Sequence, residues 1–351
     1  MPTTKTTTGN FFEDFRVGQT IVHATPRTVT EGDVALHTAL YGSRFAVQSS
    51  RELARAIGLP SAPVDDWCLF HLVFGKTVPD VSLNAIANLG YADGRFGVPV
   101  YPGDTLSTVS EVIGVRETGK GDSGVVYVRS TGSNQRGEVV LSYVRWVLVP
   151  KRNVAAPPPE PVVPALPDAM AAEDIAVPEA IDLKRYDTAL AGSTALWDDY
   201  EVGEKIDHVD GLTIEEAEHM LATRLWQNTA KVHFNQHAAK SSRFGRRLIY
   251  GGHIISIARA LSFNGLANAF KVAALNGGRH VAPTFAGDTI YAWSEIIEKM
   301  PLRAGLGALR VRTIAAKDHA CLDFPAEGPD GKMHPAVVLD LDYTVLIPVR
   351  V

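Results

Sequence analysis

Arg95-Phe96-Gly97-Val98-Pro99-Val100-Tyr101-Pro102-Gly103-Asp104-Thr105 returns later in the chain as Arg279-His280-Val281-Ala282-Pro283-Thr284-Phe285-Ala286-Gly287-Asp288-Thr289. The likeness runs on to Glu111 and Ile113 in the first copy, and to Glu295 and Ile297 in the second. Two other blocks repeat around it. Phe12-Glu13-Asp14-Phe15-Arg16-Val17-Gly18 recurs as Trp197-Asp198-Asp199-Tyr200-Glu201-Val202-Gly203, and Val139-Val140-Leu141 up to Pro150 as Val337-Val338-Leu339 up to Pro348. The blocks keep their order at offsets of about 185 to 198. Unrelated strands sharing a Gly-Asp turn would not hold that register across a whole half, so the chain reads as a tandem repeat of one folding unit.

The length agrees: 351 residues suit two units of roughly 150 residues each. The division expected is a frayed Thr-rich tail at 1–10, a first half at 11–152, a linker at 153–190 and a second half at 191–351. Ala156-Pro157-Pro158-Pro159-Glu160-Pro161 favours neither helix nor central strand, so the linker is read as extended chain wrapped over the surface.

Both halves share an order of elements. A short strand such as Gln19–Val22 is followed by a helix such as Ile214–Leu225, whose acidic start suits a helix N-terminus. Next come a polar loop and an apolar stretch from Gly252 to about Phe270, hydrophobic on nearly every face and therefore read as a buried helix. Strand patterns fill the rest: Val125–Val128 and Val139–Val149 in one half, Leu309–Ile314 and Val337–Ile347 in the other. One buried helix followed by long antiparallel strands is an α+β unit, a sheet curled around a central helix. The two units are expected to pack sheet to sheet.

A hydrophobic share of 46% with 21% charged residues is that of a globular chain rather than a disordered one. The net charge of −5 argues against general affinity for nucleic acid or anionic membranes. Cys68 and Cys321 are far apart and lack metal-ligand spacing, which fits a reducing compartment. No apolar run is long enough to span a membrane and the N-terminus lacks a signal-peptide core, so a cytoplasmic location is expected.

The halves diverge most in the loop before the buried helix. In the second half it reads Trp226-Gln227-Asn228-Thr229-Ala230-Lys231-Val232-His233, continues through Ser242-Arg243-Phe244-Gly245, and ends Tyr250-Gly251-Gly252-His253. The first half has Ser43 in place of Asn228, Gln48 in place of His233 and Asp66-Trp67 in place of Gly251-Gly252. Any chemistry therefore belongs to the second half.

These residues resemble the MaoC-like dehydratases, the R-specific enoyl-CoA hydratases. Their motif runs Gly-Asp-x-Asn-Pro-(Leu/Ile)-His, then Ser-x-Phe-Gly, then His-Gly at the start of the central helix. The five-residue spacing survives in Asn228 and His233, and the Ser-x-Phe-Gly segment in Ser242–Gly245. Two positions depart: the family's catalytic Asp is Asn228, and the His of its His-Gly is Tyr250. Over residues 10–350 the chain is more specifically similar to the mesaconyl-CoA (2-methylfumaryl-CoA) hydratases, whose motif has the form Gln-Asn-Thr-Ala-Lys-Val-His. The resemblance implies a double hot-dog fold, an acyl-CoA substrate, a hydro-lyase reaction and a homodimer.

The chemistry also follows from the residues. Adding water to an enoyl thioester needs a group that deprotonates water and returns a proton to the α-carbon, and histidine suits this. His233 is read as that base, with Asn228 holding the water and both atoms added on one face. An amide cannot accept a proton as a carboxylate does, so a scheme with two acid/base residues is weakened. Gly251 and Gly252, next to Tyr250, would offer backbone N–H groups to the enolate oxygen. A plain turn is the bland reading of that pair, and local capping that of Asn228. Lys240, Arg243, Arg246 and Arg247 are candidates for the CoA phosphates, Lys231 and Arg279 for a substrate carboxylate. A metal or redox cofactor is not expected. Thioesterase chemistry on the same fold, or acyl-CoA binding without catalysis, are the alternatives.

Overall fold

The structure, a computed structural model, describes residues 5–303 and 305–350. In the first half β1 (Thr20–Thr28), α1 (Glu31–Tyr41) and α2 (Asp66–Thr77) precede β2 (Ala87–Phe96), β3 (Thr105–Glu117), β4 (Ser123–Ser133) and β5 (Val139–Pro150). The second half repeats the order: β6 (Lys205–Thr213), α3 (Glu216–Leu225), α4 (Gly251–Leu261), β7 (Lys271–His280), β8 (Thr289–Arg303), β9 (Leu306–Lys317) and β10 (Val337–Pro348). Each half is the hot-dog expected, five antiparallel strands curled around one helix. Leu106, Thr108, Ser110 and Val112 of β3 are buried and alternate with exposed neighbours, as a strand with one face on the core requires. All twelve residues of α2 are buried.

The halves do not stack face to face. They join edge to edge into one ten-stranded sheet ordered β1-β3-β4-β5-β2-β7-β10-β9-β8-β6, with Tyr91 of β2 opposite Gly278 of β7. The inner faces are already occupied by α2 and α4, whereas β2 and β7 would otherwise each leave a row of unpaired backbone groups. Edge pairing satisfies those rows and brings the two helices together at the seam.

One apolar cluster runs through both halves, from Trp67 and Phe70 of α2 to Ile254 and Ile257 of α4 and Tyr343 of β10. Near the seam Tyr41 and Trp226, which occupy matching places in the repeat, stack at a centroid distance of 6.1 Å. The expected helix to Phe270 stops at Leu261, because Asn264 and Gly265 take non-helical angles before the chain enters β7.

The linker crosses both halves. Val162 pairs with Val115 of β3, the Met170 N–H donates to Asn276 Oδ1 (3.0 Å) and the Asp182 N–H donates to the Ile57 carbonyl (2.9 Å). Residues 1–4 of the expected N-terminal tail lie outside the described residues. The end of that stretch is tied down: Asn10 donates to the Asp80 carbonyl, and Asn84 donates to the Thr8 carbonyl.

Candidate active site

The two central helices begin differently. Asp65 caps α2, its carboxylate accepting the N–H groups of Trp67 (2.9 Å) and Cys68 (3.2 Å). It also pairs with His37 at 3.3 Å, and the protonated imidazole contributes to holding its pKa down at about 2. The first half thus fills its helix N-terminus with its own anion. Tyr250 stands at the same place in the second half, and no side chain caps α4. Gly251 and Gly252 are its first two helical residues, whose N–H groups have no acceptor within the helix. The Tyr250 N–H, one position earlier, is taken by His219 Nε2 at 2.9 Å.

Aromatic rings pack against the glycine pair. A Cβ on Gly251 would lie 2.3 Å from Cε1 of His280, and one on Gly252 would lie 2.4 Å from Cε1 of Tyr250. A larger residue at either position would have to displace the ring it meets. His280, at the end of β7, is bonded through Nε2 to the Tyr91 hydroxyl of β2 at 3.1 Å. The site therefore draws on both halves across the seam.

His233 sits in the short helical turn Lys231–Phe234. Its Nδ1 lies 2.7 Å from the Leu248 carbonyl, which can only accept, so Nδ1 carries the proton and Nε2 keeps a lone pair. Burial pushes the His233 pKa down to about 4, against the raising effect of that hydrogen bond, so the ring is neutral at physiological pH. Its ring lies 5.7 Å from that of Tyr250 and 6.3 Å from that of His219. Burial also lowers His219 to about 2, His253 to about 3 and His280 to about 4. It raises the Tyr250 phenol well above its ordinary value.

Asn228 is buried, and its Oδ1 accepts the Ala230 N–H at 3.3 Å, closing the loop that carries His233. The local capping weighed above is thus present, and the Nδ2 group is the part left to act as a donor. Gln227, with φ of 56°, turns the loop just before it.

The candidate cations scatter. Lys231, Lys240, Arg243 and Arg246 are exposed, and the last two lie over the rings of Phe244 and Phe285. Arg247 is pinned to α3 by a 2.7 Å ion pair with Glu216. Arg279 does not join the site: strand alternation turns it away from His280, and it pairs with Asp340 at 3.2 Å and Glu327 at 3.5 Å. Beside the motif loop, an open cavity of about 370 Å³ is lined by Lys76, Arg224, Gln227, Thr229 and Phe234 among others.

His219, His280, Tyr91 and His71, whose Nδ1 lies 3.4 Å from the Tyr250 hydroxyl, were not singled out from the sequence. His280 had a signal, since it stands beside Arg279 where the first copy has Phe96. Tyr91 and His71 had none, because only the pairing of β2 with β7 brings the first half to this place.

Comparison with known proteins completes the picture. The family described as mesaconyl-CoA hydratase matches residues 2–320. A beta-methylmalyl-CoA dehydratase of Chloroflexus aurantiacus is 67% identical over 348 residues, covering 99% of each chain. A mesaconyl-CoA hydratase of Cereibacter sphaeroides is 60% identical over 345 residues, covering 98% of this chain and 99% of the other. The crystal structure of a putative MaoC domain protein dehydratase from Chloroflexus aurantiacus superposes with a TM-score of 0.97 at 66% identity, covering 99% of this chain and 100% of that one.

Proposed function

The chain belongs to the mesaconyl-CoA hydratase family, and from that premise we propose that it adds water reversibly to 2-methylfumaryl-CoA, giving β-methylmalyl-CoA. The thioester carbonyl rests against the N–H groups of Gly251 and Gly252, where the helix terminus stabilises the negative charge that develops on oxygen. His233 Nε2 takes a proton from water as the oxygen attacks the β-carbon, then returns that proton to the α-carbon on the same face. The Asn228 amide donates to the attacking water, and the neutral Tyr250 phenol borders the site. No cofactor takes part. A cytoplasmic homodimer is the setting we infer; among the described residues no helix is long and apolar enough to cross a membrane.

The observation that carries this reading is the His233 tautomer. With Nδ1–H held by Leu248, the basic nitrogen is oriented and uncharged, and the aligned first-half residue Gln48 has no such group. The test incubates the protein with 2-methylfumaryl-CoA while following enoyl absorbance and free thiol. Absorbance should fall with no thiol released; thiol release would mark a thioesterase instead. His233→Ala should lower kcat by about 10²- to 10⁴-fold with the fold intact, and near-normal turnover would remove His233 from the mechanism. Asn228→Asp asks whether a carboxylate at that position also supports turnover.

A further inference from the structure

Arg145 is the most buried cation of the described chain, with none of its surface exposed. Its Nη2 donates to Thr77 Oγ1 at 2.7 Å and Ser82 Oγ at 3.2 Å, and its guanidinium lies 4.2 Å from the Phe74 ring. Nε and Nη1 have no partner, and among the described residues Arg145 forms no ion pair. The other buried cations are provided for. Lys151 pairs with Glu117 at 2.6 Å and Lys271 with Asp66 at 3.1 Å. Arg259 donates to Ser262 and to the Ala269 carbonyl, and Lys76 borders the open cavity.

A fully buried guanidinium with two unpaired nitrogens is costly, and a group that completes it would offset that cost. Its location says which group. Phe74, beneath the guanidinium, lies 5.4 Å from the Tyr250 ring, and Tyr250 lies 5.7 Å from His233. Three contacts, one of the guanidinium with a ring and two between rings, thus link Arg145 to the base. The repeat supplies a control: the β10 counterpart of Arg145 is Tyr343, whose hydroxyl accepts from Thr313, so the cation is peculiar to the half that lacks the base.

We propose that Arg145 binds the free carboxylate at the far end of the acyl chain and makes the enzyme select thioesters of dicarboxylic acids. This rests on the hydratase reading above, in which the base lies in the second half, and it requires the acyl chain to run from there across the seam toward the first. Lys231 and Arg279, the cations considered from the sequence, are exposed; a cation shielded from water discriminates a charged chain end from a methyl group far more sharply.

The experiment compares two saturated four-carbon thioesters, succinyl-CoA with a terminal carboxylate and butyryl-CoA with a methyl, by calorimetric titration of the full-length protein. Neither needs to be hydrated, so the result is separate from the hydratase reading, which fails on its own if 2-methylfumaryl-CoA is not consumed. Succinyl-CoA should bind more tightly in the unaltered protein, and Arg145→Met should weaken it about a hundredfold while leaving butyryl-CoA within a fewfold. Arg145→Lys, which keeps a charge in the core and guards against misfolding, should retain part of the preference. No preference in the unaltered protein, or a parallel loss for both thioesters in the variants, would overturn the proposal.

Discussion

Five histidines, His208, His219, His233, His253 and His280, are kept neutral by burial, with pKa values lowered to between about 2 and 4 from an ordinary 6.5. Each loses a favourable protonation that the unfolded chain retains. Their stabilising contribution is therefore complete above pH 6.5 and is lost as the pH falls through the folded values, at up to about 1.4 kcal/mol per pH unit for each group. His37 has the opposite sign: raised to about 10 beside Asp65 and Cys68, it stabilises below pH 6.5 and ceases to do so as the pH rises through 10. The melting temperature should accordingly drop steadily between pH 6.5 and 4.5 in scanning calorimetry; a flat profile there would mean that these rings are charged in the fold. Of the five, His253 could be placed on the buried helix from sequence and His233 given a role, because His233 has both a motif spacing and a first-half counterpart that lacks it. Arg145 was visible in principle, since it falls in phase with the inward positions Tyr143, Val147 and Val149.

Among the elements, the start of α4 carries the most information. Gly251 and Gly252 were expected to let a thioester carbonyl approach the backbone, yet each is also covered on its Cα side by a ring. The requirement for glycine is thus set twice, once by the helix N-terminus that a ligand would meet and once by His280 and Tyr250. Gly251→Ala should displace His280, cost about 1–3 kcal/mol and lower kcat sharply. Gly119→Ala, at a position where a Cβ meets nothing within 4 Å, should change neither. Denaturant melts and turnover of the two variants side by side decide the matter; a fully active, equally stable Gly251→Ala would show that the ring contact yields. The helix itself was legible from its run of apolar residues, but its end was not, because the break at Asn264 and Gly265 is stabilised by His208, whose Nδ1 meets the Asn264 carbonyl at 2.7 Å. That contact comes from β6, far away in sequence, and local pattern cannot report it.

For the whole molecule, the repeat made the two-unit architecture readable, while the way the units meet was not. Both sheet edges and both helix faces looked available for packing, and nothing local chose between stacking and edge pairing. What holds the seam is specific: Asp66 at the start of α2 pairs with Lys271 at the start of β7 (3.1 Å) and accepts the Val272 N–H at 2.8 Å, both in the interior. Asp66 aligns with Gly251, so the position that is open in the second half is used in the first to bind the other unit. A shared sheet, a shared core and this buried pair should make unfolding one cooperative event, with calorimetric and van't Hoff enthalpies equal. Asp66→Ala leaves Lys271 charged and unpaired in the core, and should cost about 3–5 kcal/mol in urea unfolding. Adding Lys271→Met should recover most of that loss, because the double variant removes both members of the pair and leaves neither charge unpaired at the seam. Two separate transitions in the unaltered protein, or a single variant as stable as the parent, would mean that the halves fold independently and merely touch.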